Sequence, residues 1–336
     1  MRLVTAVVLG LFLTFCGGAI AQEKALKLEG KSGSGKGKHV VLISGDEEYR
    51  SEEALPMLAK ILSERHGFTC SVLFSLNAQG EIDPNRGESI SDASVLDSAD
   101  VIVIALRFRK WPDAEMQKFV AAYERGVPII GLRTSTHAFS TKYKEMDKFG
   151  ERVLGEEWVS HWGNHKAEAT RGVIEPLAKD HPLLRGVTDV FGDTDVYEAY
   201  PPADAKILLR GEVLKGMKAD SGPASYKKKR ASDGKEQDVN DPMMPVAWYR
   251  EQKSASGANQ KILCTTMGSA TDLQNEGLRR LVVNGVFWGL GIDVPAKANV
   301  EYVDPYEPLM YGFNGARKGI RVEDHGLGKK LPEGKK

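Results

Sequence analysis

His137, His161 and His165 are the side chains in this sequence best suited to moving a proton near neutrality. His137 closes the run Arg133-Thr134-Ser135-Thr136-His137 and is the first choice as general acid or base. His161 and His165 stand four residues apart and would share one face of a helix. With His137 they could offer three imidazoles to a divalent metal and leave a position open for water. Gly163-Asn164 argues against a regular helix, so a hydrogen-bonding pair beside a buried Trp162 is the competing reading. Glu47 and Glu48 supply carboxylates for acid/base work, of which only one should face a common site, and Glu47 is taken as the catalytic candidate. Ser135 could act as a nucleophile, but no Gly-x-Ser-x-Gly elbow surrounds it.

Ligand binding would fall to arginines and their neighbours. Arg107 and Arg109 follow the apolar run Asp100 to Leu106, and Arg133 follows Val127 to Leu132. If those runs are adjacent strands, the guanidinium forks converge on one crevice and could hold a carboxylate, a phosphate or vicinal sugar hydroxyls. The alternative is that some of them pair with Asp46, Glu47 or Glu48. Asp46, Thr134 and Ser135 complete the polar set, and Trp111 or Trp162 could stack on a sugar ring.

These residues need elements to position them. His39 to Ser44 reads as a strand, Leu55, Leu58, Ala59, Ile61 and Leu62 mark a helix stopped by Gly67, and Phe68 to Phe74 is the next strand. A short helix at Ser94 to Ser98, the strand Asp100 to Leu106, a helix opened by Pro112 and the strand Val127 to Leu132 follow. This alternation predicts an α/β, doubly wound, mostly parallel sheet, with polar groups at its carboxyl edge. Lys142 to Gly155 reads as a helix. Gly172 to Ile174, Val196 to Tyr200, Ile207 to Leu209, Val246 to Tyr249 and Lys261 to Thr266 read as strands of a mixed or antiparallel C-terminal extension, and Asn275 to Leu290 as the last helix.

Arg2, the apolar run Leu3 to Phe15 and the triplet Ala19-Ile20-Ala21 predict a secretory signal over residues 1–21, cleaved after Ala21, and hence a periplasmic or extracellular protein. No later run is long enough to cross a bilayer. Residues 22–38 are expected to be a flexible leader, 39–293 the folded domain with a mobile insertion at 215–241, and 294–336 an extended tail. The 336 residues hold 46 basic and 46 acidic side chains, a balance that gives no long-range pull on nucleic acid or anionic lipid. Cys70 and Cys264 lie in apolar runs and read as buried thiols. The expected partner is a small molecule or an oligosaccharide.

The loop Ser44-Gly45-Asp46-Glu47-Glu48-Tyr49, the turn Gly131 to Phe139, the block His161-Trp162-Gly163-Asn164-His165, the pair His181-Pro182 and the stretch Val283 to Gly291 resemble a ThuA-like (trehalose-utilisation) domain. The resemblance implies a class I glutamine amidotransferase-like, flavodoxin-type fold and a role in carbohydrate metabolism. In the amidotransferases of that fold a nucleophilic Cys follows the strand, where this chain has Arg133. Thiol chemistry is therefore excluded at that position. Many ThuA-like domains carry Gly-His where this chain has Gly268-Ser269, whereas their acidic-x-Tyr element is kept as Asp195-Val196-Tyr197. Two functions follow: an exported enzyme acting on a sugar or sugar derivative by proton transfer or hydrolysis, or a non-catalytic glycan-binding module.

Overall fold

The computed structural model describes residues 23–141, 143 and 146–332, so the signal expected at 1–21 lies outside the described residues. Its strands are β1 (Ala25–Leu28), β2 (His39–Gly45), β3 (Thr69–Leu73), β4 (Val101–Leu106), β5 (Ile129–Leu132), β6 (Ser160–His161) and β7 (Thr170–Ile174). They continue as β8 (Phe191–Gly192), β9 (Tyr197–Glu198), β10 (Lys206–Val213), β11 (Lys227–Lys229), β12 (Glu236–Asp238), β13 (Met244–Lys253) and β14 (Asn259–Thr265). Ten of them form one sheet in the order β1-β3-β2-β4-β5-β14-β13-β10-β7-β8. The stretch β3-β2-β4-β5-β14 is parallel throughout, which is the flavodoxin-like order. Lys261 to Thr266, expected in the extension, is therefore the fifth parallel strand, and β13, β10, β7 and β8 build the antiparallel extension beyond it.

Helices α1 (Ser51–His66) and α3 (Glu276–Gly289) pack on one face of the sheet, and α2 (Asp113–Glu124) packs on the other. β4 is apolar along its whole length and β2 from Val40 to Ile43, because both faces of the sheet are covered there. Gly67 ends α1 in the left-handed conformation, its N–H returning to Leu62 and Ser63. Of the helix expected from Lys142 to Gly155, the described residues form a π-helical turn at Gly150–Leu154, while Lys142, Lys144 and Glu145 lie outside the described residues. A Cβ at Gly150 would lie 1.9 Å from the Thr136 carbonyl oxygen, so glycine lets this turn press against the loop after β5.

The ends of the chain are more structured than their composition suggests. Within the expected flexible leader, β1 pairs antiparallel with β3 and buries Leu26 and Leu28. The expected mobile insertion folds as the β11–β12 hairpin, buries Val239, and reaches back through Lys228, whose ammonium donates to the carbonyls of His161 and Trp162 at 2.9 Å. The tail runs over α1: Lys60 pairs with Asp304 at 2.6 Å, Arg317 pairs with Glu53, and His325 stacks on Phe74. This cover leaves α1 buried on nearly all sides, its acidic first turn included. Cys70 and Cys264 are buried and free.

Candidate functional site

Three loops meet at the carboxyl edge of the parallel strands: the one after β2, the 3-10 turn Arg133–His137 after β5, and the segment carrying His161 and His165. With Trp158, Tyr197 and the tail residue Phe313 they enclose a pocket of about 180 Å3 that is also lined by Glu48, Tyr49, Arg107 and Phe108. His137, His161 and His165, expected to converge, all line it.

Asp195 is the buried hub. Its Oδ1 lies 3.0 Å from His165 Nδ1 and accepts from Arg133 Nη2 at 3.0 Å, while Oδ2 lies 2.7 Å from His161 Nδ1. His165 Nε2 lies 3.2 Å from Glu48 Oε1, so this ring bridges two carboxylates. Hydrogen bonds first to Asp195 and then to Glu48 push His165 up to about 9. Burial alone would raise both carboxyl groups. For Asp195, Arg133 and the two histidines outweigh burial, and for Glu48 the hydrogen bond from His165 does, so both are held below the ordinary range. His137 has the opposite environment: burial first, then the charges of Arg107 and Arg133, pull it down to about 3. Its Nδ1 lies 3.3 Å from the Thr136 hydroxyl, and its ring packs against Phe108 and Trp158. The site therefore holds a charged imidazolium and a neutral imidazole at once.

Several expected roles change. Arg133 is 1% exposed; it donates to the carbonyls of Asp195 and Thr266 at 2.7 Å and to the Tyr49 hydroxyl at 3.3 Å, with Tyr197 stacked 3.8 Å beneath it. It fixes Asp195 and does not reach a ligand. Glu47, chosen as the catalytic carboxylate, is neutralised by Arg107 and by Arg109 at 2.6 Å, and Glu48 is the neighbour that faces the pocket. Arg109 is buried and also donates to the Pro84 carbonyl at 3.0 Å, which leaves Arg107 as the arginine at the pocket. Asp46 accepts the N–H groups of Glu48 and Tyr49 and the Thr134 hydroxyl, so Asp46 and Thr134 brace the loop after β2. Ser135 is buried and donates to the Ile104 carbonyl at 3.0 Å. Trp162 is fully buried with its indole N–H on the Val239 carbonyl, and Trp158 lines the pocket where Trp162 was expected.

Sequence reasoning missed Asp195 as hub, Glu48 as the facing carboxylate, and Tyr311 and Phe313 in the tail. The acidic-x-Tyr element was the available signal for Asp195; the tail offered none. Tyr311 packs on Tyr49 and His165, and the Gly312 N–H donates to the Glu48 carbonyl at 2.7 Å. For a cation, His161, His165 and Asp195 offer one donor atom each within 4.8 Å of one another, a set in which Asp195 stands where His137 was expected. Among the described residues no helix is long and apolar enough to cross a membrane.

One solved structure shares this architecture. A ThuA-like protein from Parabacteroides merdae ATCC 43184 superposes with a TM-score of 0.51 at 15% identity, over 77% of this chain and 92% of its own. A ThuA-like protein from Bacteroides uniformis ATCC 8492 gives a TM-score of 0.45 at 15% identity, over 77% of this chain and 92% of its own. No curated protein sequence matches. The ThuA family, described as trehalose utilisation, matches residues 39–289, and with that span covering most of its length the chain belongs to this family.

Proposed function

We propose that this is an exported enzyme that acts on a sugar or sugar derivative by proton transfer, in the pocket at the carboxyl edge of the sheet. One observation carries the reading: His165, 3.2 Å from Glu48 and 3.0 Å from Asp195, shares a small pocket with His137, whose ring packs against Phe108 and Trp158. Neighbouring groups pushed apart in pKa divide the labour of acid and base. His165 gives its proton to an oxygen that gains negative charge while Glu48 takes the proton the sugar loses, and transfer across their 3.2 Å contact restores both groups. His137 accepts a hydrogen bond from a sugar hydroxyl and orients it. Trp158, Phe108 and Phe313 supply apolar faces for the ring.

The test is turnover of a panel of methyl glycosides, disaccharides and oxidised sugars by the purified protein. Replacing His165 by Gln or His137 by Ala should lower turnover by about 10²- to 10⁴-fold, the usual weight of a positioned acid or base. Binding without turnover in the unaltered protein would give the site to glycan recognition alone. The donor set of His161, His165 and Asp195 supports a second reading, a metal-assisted reaction. Elemental analysis of protein purified without chelator separates the two: one equivalent of Zn, Mn, Fe or Ni favours the metal. Export is checked by sequencing the mature N-terminus, expected at Gln22; a retained Met1 contradicts it.

A further inference from the structure

A second, larger cavity of about 630 Å3 adjoins the pocket, and Phe108 and His137 line both. The inner cavity, at about 180 Å3, has less than a third of the volume of the outer one. The outer one has aromatic walls, Trp111, Phe139 and Phe149, and a polar rim that includes Lys110 and Asp113. Together they match the roughly 300–1,000 Å3 of pockets that bury small-molecule ligands.

Two features point to a ligand spanning both. Phe108, between the cavities, holds a φ of +47°, a conformation a bulky residue avoids, and is 41% exposed. Its N–H donates to the His137 carbonyl at 2.9 Å, which ties the strained residue to the imidazole. Each cavity is also lined by a tryptophan whose buried indole N–H has no hydrogen-bond partner among the described residues, Trp158 in the inner and Trp111 in the outer, and Trp111 is 4% exposed. Donors this buried are satisfied in nearly all proteins.

We infer that the site takes a glycoside of at least two units, one ring in the inner pocket and the linked unit on the aromatic walls of the outer cavity, joined across Phe108 and His137. This rests on the sugar reading proposed above and extends it to the substrate's length. The linkage between the units lies beside His137, so the unit in the outer cavity is recognised as the attached group of the sugar being acted on.

Calorimetry with the methyl glycosides of glucose, galactose, mannose and xylose, and with the disaccharides of the same sugars, tests it. At least one disaccharide should bind tenfold or more tightly than its methyl glycoside. Ser140 lines only the outer cavity and is exposed. Ser140→Trp should abolish the disaccharide's advantage and leave methyl glycoside binding unchanged, which also reports an intact fold. Lys110→Trp repeats the block from a second position. Equal affinity for both probe lengths, or a disaccharide advantage that survives both blocking variants, overturns the inference while the sugar reading stands. Binding of no probe at all overturns both.

Discussion

A side chain's worth at this site depends on what its neighbours leave free. Arg133 has every favourable property of a ligand-binding residue and none of the freedom, because it is buried and Asp195, Thr266 and Tyr49 hold its Nη1 and Nη2. Its value lies in keeping Asp195 ionised, and through Asp195 in orienting His161 and His165. Asp195→Asn should cost about 3–5 kcal/mol of stability by denaturant titration, since it strands a buried guanidinium. A destabilisation under 1 kcal/mol would show that Arg133 finds another partner. The pH response has a defined sign. His165 is raised in the folded protein, so its contribution is full below its ordinary value and is lost as pH climbs through about 9. Glu48 and Asp195 are lowered, so theirs is present above the ordinary carboxylate range and is lost on acidification. Melting temperature against pH should therefore fall on the alkaline side in the unaltered protein, and His165→Gln should flatten that limb. His137, lowered to about 3, makes the folded state less stable as pH drops from its ordinary value toward 3, because only the unfolded chain then binds the proton. His137→Phe should weaken that acid sensitivity in the same scan.

Elements that repeat a simple period were legible in the sequence, and elements defined by their partner were not. The apolar runs of β2, β4 and β5 and the helix beginning at Glu276 stand almost where expected. Asn275 caps α3 by accepting the Leu278 N–H at 2.9 Å. Asn275→Ala should cost about 1 kcal/mol in chemical denaturation. By contrast, β14 looks like its antiparallel neighbours in sequence, and only its pairing with β5 makes it parallel. Glu47 and Glu48 cannot be ranked from composition either: the path of the backbone after β2 turns one toward Arg107 and Arg109 and the other toward His165. The hairpin β11–β12 is nearly all polar and reads as unattached, yet Lys228 holds the carbonyls of His161 and Trp162. Lys228→Met should loosen that segment, seen as faster amide exchange at His161 and Trp162.

At the scale of the whole molecule, the family match ends at residue 289, but the tail beyond it covers α1 and closes the pocket through Tyr311 and Phe313. Removing residues 294–332 should expose the outer face of α1 and lower the denaturation midpoint, with dye binding that reports uncovered apolar surface; an unchanged midpoint would make the tail an ornament. Arg50, beside the first loop of the site, donates to the Gly312 carbonyl 262 residues away. Contacts of such long range form late, because the loop they close must first be paid for in entropy. The pocket is thus assembled late: a polypeptide made from its N-terminus lacks one wall of the site until Tyr311 and Phe313 have been synthesised. An arrested chain holding the first 289 residues should bind no probe sugar, whatever structure its sheet has reached.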